Sequence, residues 1–522
     1  MRKGLGGLFR VFFGLTLLLS TTTVVAEEPP DPGKAPSEVS NTLSEGSDTP
    51  SESSSTPPEA SQAPSETSSM PSEGSSAPPE ASQAPSETSS TPPEGSNTPS
   101  ENSSAPPEGS NTPSESSKTP SEEGDTINSL TKKLNLSGSL RGGYWSSSQT
   151  LDDRENLTTA SLWLKAAPKL RSNVSLFVEG WIMNQQLFHA DETEEQLREA
   201  YLDINLGPMD LRIGKQIIVW GRTDRINPTD NLSPRDFTLL VPEDDDQRLG
   251  TPAVKATYYF KAISLSAYWL PEFGSDTIPI QKPPPPFTIT EDVPDTSFGD
   301  WAVKVEQTGK AVDWSLSYFN GYDLTPDLGI TSPTQLTHLT LKNHRIYVIG
   351  ADAATTLGRY GLRAETAYTM TQDDRGDDPY IKNPFFYMVM GSDRTFIEYL
   401  NVNIQYLIRV IVNYENPEEI TNPVLRTVAI EQAAISNQLD QIQNGVTVRI
   451  NYKWFNETLE GEIATVFLTP HFSYAIRPKV TYAFTDRWKG IVGGDLYEGD
   501  QPSFFGYLRH NSTAYAELRW SF

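Results

Sequence analysis

Cysteine is absent from all 522 residues. That excludes a disulfide-stapled fold and every thiolate metal site. Histidine is scarce. His189, His338, His344, His471 and His510 are scattered, and neither G-x-S-x-G nor H-E-x-x-H occurs. No catalytic, cofactor-binding or metal-binding residue is assigned, although a membrane-embedded hydrolase assembled from distant residues stays open. Positive charge is also short: 41 Lys and Arg meet 68 Asp and Glu, for a net charge of −27. The basic footprint of a nucleic-acid binder is therefore missing. Only one long apolar run occurs, at the N-terminus, which excludes a helical membrane protein.

That run, Val11 to Leu19, follows Arg2 and Lys3, and "VVA" precedes Glu27. It reads as a secretory signal over residues 1–26, cleaved after Ala26. It is too short for a bilayer span, which needs about 20 residues. From Pro36 to Glu122 the chain repeats every seven residues as Pro-(Ser/Pro)-Glu-x-Ser-x-(Ala/Thr), with Leu43 in place of one proline. Proline and the lack of an apolar pair per repeat rule out a coiled coil. Nothing in the repeat can bury a core, so residues 27–125 are expected to form a disordered, extended arm. These residues hold 19 acids and 2 bases, so −17 of the charge sits there. With +3 in the signal, residues 126–522 carry −13.

Past Leu134 aromatic and β-branched residues rise and period-two alternation begins. In "NGVTVRINYKW", Val446, Val448, Ile450, Tyr452 and Trp454 share one face, opposite Thr447, Arg449, Asn451 and Lys453. A soluble sandwich and a membrane barrel both produce this pattern. Connections separate them. Eighteen expected strands are joined by long connections such as 221–251, 271–297, 320–343 and 413–442, alternating with short ones. The short ones include Gly207-Pro208, Lys261, Thr308 to Lys310, Gly358 to Tyr360, Ser392 to Arg394 and Thr485 to Arg487. One exception is Thr469 to His471, short where a long loop is due. Long loops on one side and tight turns on the other mark a transmembrane antiparallel up-and-down β-barrel. The sequence predicts about 18 strands, with 16 as the alternative, over residues 126–522. Trp520 and Phe522 end the chain like the terminal assembly signal of outer-membrane barrels.

If the apolar faces meet lipid, the opposite faces line the lumen. Candidates are Lys165, Glu179, Arg212, Lys304, Arg363 and Glu365, and farther on Arg449, Lys453, Glu460, Glu462, Arg477 and Lys479. Both signs are present in similar number. That pattern fits an internal salt-bridge ladder or a path for zwitterionic or amphiphilic substrates. Lys215 falls on the lipid face beside Ile213, and Gly214 is expected to mark a bulge that turns it inward.

The loop "GRTDRINPTDNLSPRDF" (Gly221 to Phe237) is too long and too ordered in its turn signals for a mere connector. Arg222, Asp224, Arg225, Asp230, Arg235 and Asp236 are candidates for a pore constriction if it folds inward; otherwise they brace an outer loop. "GKQIIVWGRTDRINPTDN" resembles the signature of a porin-like family of Gram-negative outer-membrane barrels of unassigned function. In that signature a Gly-(Lys/Arg)-Gln strand ends in Trp-Gly and an Asn-Pro-x-Asp loop follows. Here the matching positions are Gly214, Lys215, Gln216, Trp220, Gly221, Asn227, Pro228 and Asp230. The resemblance implies the Gram-negative outer membrane and, through lipid-type efflux associations of some members, a lipid or hydrophobic substrate.

In loop 413–442, Asn422 and Pro423 predict a helix start, with Val424, Val428, Ile435 and Leu439 on one face. It is either a rim helix or a plug. The acid runs Glu243 to Asp246 and Asp373, Asp374, Asp377 and Asp378 lack calcium-loop spacing and read as solvated loop acid. The expected function is a channel or transporter for a solute or a lipid or hydrophobic substrate. A structural or adhesive anchor is the alternative. Expected partners are outer-membrane lipid and lipopolysaccharide, the barrel-assembly machinery, and an inner-membrane efflux partner or peptidoglycan reached by a periplasmic arm.

Overall fold

The computed structural model describes residues 131–522 apart from 188, 295–298 and 333–334. The expected signal peptide and repeat arm lie outside the described residues. The strands begin with β1 (Leu136–Ser147), β2 (Glu155–Ala166), β3 (Lys169–Arg171), β4 (Val174–Asn184), β5 (Thr193–Asn205), β6 (Met209–Gln216) and β7 (Thr251–Phe260). There follow β8 (Ile263–Leu270), β9 (Thr288–Asp292), β10 (Asp300–Gln307), β11 (Val312–Tyr322), β12 (Asp327–Ile330), β13 (His338–Lys342), β14 (Arg345–Leu357) and β15 (Tyr360–Met370). The last are β16 (Phe385–Thr395), β17 (Leu400–Ile411), β18 (Ile442–Trp454), β19 (Leu459–Thr469), β20 (Ser473–Ala483), β21 (Trp488–Gly499) and β22 (Thr513–Ser521).

Nineteen strands share one sheet, but β3 pairs only with β4. The remaining eighteen form an antiparallel wall that closes where β22 pairs with β1. Closure leaves no free edge, the condition for a sheet in lipid. Phe522 takes part: its N–H donates to Gly138 O at 3.0 Å, and Gly138 N–H donates back at 3.1 Å. No described helix is long and apolar enough to cross a membrane.

The period-two pattern decides which side chain meets which solvent. In β18, Ile442, Val446, Ile450 and Trp454 are exposed while Gln443 and Thr447 are buried inside. At the short-turn end the exposed residues turn aromatic: Phe260, Phe396, Phe455, Phe484, Trp488 and Phe522. Such a girdle sits at the membrane–water boundary, where an aromatic ring has one apolar and one wet side.

Three local expectations are corrected. Ser392 to Arg394, expected to be a turn, lie inside β16; the turn is Phe396 to Tyr399, and β17 starts at Leu400. The strand expected to run up to Trp220, before connection 221–251, stops at Gln216 because the chain then turns into the lumen. Gly214 has φ 132 but keeps its register with both neighbouring strands, so it is no bulge. The irregularity is on the facing strand, where Glu179 pairs with Glu199 and Gly180 with Leu197, leaving Arg198 over. Lys215 stays on the face of exposed Ile213, one residue from the strand end, where a long stem can reach the interface.

Loops from the long side build a cap. β9, β12 and β13 form a small separate sheet. Helix α1 (Pro423–Ile435) packs on it, with Asn422 Oδ1 accepting from Val424 N–H and Leu425 N–H. Val428 joins Leu328 and Leu339 in its core.

Candidate functional site

Residues 217–250 leave β6 and cross the barrel interior. The turn inward is built residue by residue. Gln216 is fully buried and its amide donates to Ala253 O at 3.0 Å. Ile217 N–H donates to Glu199 Oε1 at 2.8 Å, Ile218 N–H to Ser233 Oγ at 2.7 Å, and Trp220 N–H to Asp230 Oδ1 at 3.1 Å. Trp220 packs edge-on against Tyr268, ring centroids 5.4 Å apart.

One wall carboxylate holds the loop's first turn. Glu365, on β15, is 1% exposed. Its Oε2 accepts from Arg222 N–H (3.0 Å), Thr223 N–H (3.3 Å), Thr223 Oγ1 (2.8 Å) and Asn227 Nδ2 (3.0 Å). Its Oε1 accepts from Thr229 N–H (2.9 Å) and Thr229 Oγ1 (2.8 Å). A loop without secondary structure has orphan backbone donors, and a buried carboxylate has the lone pairs to take them. Gly221 is required here. Its φ is 98, and a Cβ would come within 2.5–2.6 Å of the Glu365 oxygens. Gly350 on β14 makes similar room, since a Cβ there would meet Thr229 Cγ2 at 2.5 Å.

The charged candidates divide. Arg222 reaches the wall, pairing with Asp352 at 2.5 Å and with Glu306. Arg225 pairs with Glu462 at 2.6 Å, and Asp224 with Arg449 at 2.8 Å. Asp224 is also tied by its backbone, to Gln405 Oε1 and Nε2, each at 2.8 Å. Asp230, Arg235 and Asp236 brace the loop instead. Asp230 pairs with Arg248 at 2.8 Å and with Arg235 at 3.6 Å, while Asp236 accepts from Thr238 N–H at 2.9 Å.

The loop's far half docks on the opposite wall. Three acids of the run Glu243 to Asp246, expected to be solvated, are paired: Glu243 with Lys479 (3.0 Å), Asp244 with Arg477 (2.6 Å) and Asp246 with Arg141 (2.5 Å), while the Asp245 side chain is exposed as expected. Leftover Arg198 turns inward and donates to Asp245 O at 2.6 Å and to Glu179 at 2.5 Å. Leu239 and Val241 pack on Trp163 and Trp181, and Leu240 on Trp145 and Tyr515. The loop is thus fixed to several sectors of the wall.

Of the lumen candidates, Glu179, Glu365, Glu462, Arg449, Arg477 and Lys479 face the loop, and Lys304 lies 4.0 Å from Asp352. The others meet other neighbours. Arg212 pairs with Asp203, Arg363 with Asp393 and Lys453 with Glu457. Glu460 accepts from Asn451, and Lys165 lies 4.8 Å from the Phe177 ring. Sequence reasoning missed Asp352, Gln405, Arg141, Arg198 and Arg248. Gly350, two before Asp352 on the inner face, was the available signal. In the second acid run, Asp373 caps its own turn through Gly376, Asp377 and Asp378 N–H.

The stretch 271–287, before β9, clamps the inward loop from above. Arg235 N–H donates to Asp276 Oδ1 at 2.8 Å, and Thr325 Oγ1 to Oδ2 at 2.9 Å. Burial still pushes the Asp276 carboxyl up to about 6. Beside the loop a cavity of about 620 Å³ remains, lined by charged residues such as Arg225 and Asp244 and by Ile226, Leu407 and Phe505.

The family described as protein of unknown function (DUF1302) matches residues 135–381, a span from β1 through β15 that contains the signature Gly214 to Asp230 and its anchor Glu365. No relative is found among curated proteins. Solved structures of similar chain path include OpdK of Pseudomonas aeruginosa, with 9% identity and TM-score 0.46 over 74% of this chain and 98% of that one. A BenF-like porin of Pseudomonas fluorescens is similar at 11% identity and TM-score 0.46 over 74% and 97%. OmpT of Vibrio cholerae is similar at 10% identity and TM-score 0.40 over 74% and 98%.

Proposed function

We propose that this barrel is a channel of the Gram-negative outer membrane whose bore is narrowed by loop 217–250. The observation that carries the reading is the anchorage of that loop. A closed wall with an outward apolar band needs no internal loop to be stable in lipid. Yet a buried carboxylate, wall–loop ion pairs and two apolar docking patches hold this one in the bore. Arg222, Asp224 and Arg225 then form the constriction, and Asp230, Arg235 and Asp236 stiffen it. The mixed signs favour a solute or an amphiphilic substrate over a simple cation or anion. Trp520 and Phe522 would present the assembly signal, and an arm at residues 27–125 would work from the periplasm, towards peptidoglycan or an inner-membrane partner.

Planar-bilayer recording of the purified protein tests this. The parent should conduct, and Arg222→Ala with Arg225→Ala should raise its conductance while heat-modifiable folding is unchanged. A folded protein that never conducts, alone or with both substitutions, would leave the anchor reading.

A further inference from the structure

Arg409 differs from the other arginines that line the cavity. Arg225, Arg235, Arg449 and Arg477 each hold a carboxylate within 4 Å. Arg409 holds none among the described residues, although Asp323 lies within its electrostatic reach. Its guanidinium carbon lies 4.6 Å from the Phe385 ring and 4.5 Å from the Tyr387 ring. Its Nη1 donates to Ser436 O at 2.8 Å and to Asn437 O at 3.3 Å, the carbonyls just past α1. Its Nε is buried without an acceptor. Rings and carbonyls orient a cation, but they carry no full negative charge to neutralise it.

Next to it the cavity wall is apolar. Leu407 shares the inner face of β17 and packs with Val389, Leu468, Ala475 and Phe505. The position also matters. Gln405, on the same face, meets the constriction at Asp224. Arg409 is four residues nearer the long-loop rim, roughly 13 Å along the strand.

We propose that Arg409 and this apolar patch form a capture subsite on the rim side of the constriction for an amphiphilic anion, a carboxylate head with a short apolar body. The proposal rests on the channel reading for its purpose, but not for its test. The head would supply the charge that Arg409 lacks, as a charge-assisted bond to Nη2, and the body would cover Leu407 and Phe505. The paired arginines cannot do this without first breaking an ion pair.

Calorimetry on the full chain in detergent, with octanoate, acetate and octyltrimethylammonium as probes, reads binding without any conduction. Octanoate should saturate, and the other two should bind far more weakly. Arg409→Gln should weaken octanoate roughly tenfold or more, the loss expected of one bond to a charged group. Arg363→Gln, which removes an arginine already paired with Asp393, should leave octanoate binding unchanged. Phe505→Ser should weaken octanoate while sparing acetate, and heat-modifiability checks that each variant folds. Equal binding of octanoate and octyltrimethylammonium, or parental octanoate binding in folded Arg409→Gln, overturns the proposal. A conducting pore that binds no octanoate sinks this subsite alone, and a silent pore that binds it sinks only the channel.

Discussion

Two loops of similar length rise from the same rim, 217–250 and 412–441, and they bury themselves differently. The first has no α-helix, only the short 3-10 turn Asp244–Gln247, so its polar and apolar groups alike take their partners from the wall: Glu365 for its donors, Glu462 and Asp352 for its arginines, Trp163 and Tyr515 for its leucines. The second forms α1 and packs Val428 on the small rim sheet. A loop that satisfies itself can stay on the rim. A loop whose polar backbone and charges need outside partners goes where a closed barrel concentrates them, in the lumen.

The sharpest way to break this contrast is Glu365→Ala. It removes one acceptor from six donors, and each buried donor left unpaired costs about 1–3 kcal/mol. Loop 217–250 should come free of the wall, seen as a rise in conductance and as new proteolytic cleavage within 217–250, while 412–441 keeps its parental pattern. Parental conductance would mean that the ion pairs and apolar patches alone suffice. Val428→Asp tests the other loop. Burying an unpaired carboxylate in the rim core should cost about 3 kcal/mol or more. Cleavage should then appear in 412–441, with 217–250 still protected; cleavage of both loops would show that they form one unit.

The smallest effect concerns Asp276, which joins the stretch 271–287 to Arg235. Its carboxyl is raised to about 6, so the folded loop prefers the neutral acid. That contribution is fully present below about 4, the ordinary aspartate value, and is lost as pH rises through about 6. Proteolysis within 217–250 should therefore increase modestly between these pH values, and Asp276→Asn should flatten the change. A parental pH profile in that variant would assign the effect elsewhere.

The wall was readable because its physics is local. Alternation of period two, Gly207-Pro208 and Thr485 to Arg487 as turns, and the long-short rhythm of connections each depend on neighbouring residues. The misplaced turn at Ser392 to Arg394 shows the limit. A polar trio reads as a turn, but inside a barrel it equally suits the end of a strand with a wet inner face.

The sequence by itself determined the eighteen crossings, the outward and inward faces and the peculiarity of Gly221 to Phe237. Only the tertiary structure decided that Glu365, 136 residues from Thr229, is what this loop folds around. It also decided that Glu243, Asp244 and Asp246 are paired while Asp245 stays solvated, and that Arg409 is the cavity arginine left without a carboxylate among the described residues. The physical reason is closure. Alternation fixes the side of the wall on which a charge lies, but which opposite charge it meets depends on how strands distant in the chain are brought round one bore.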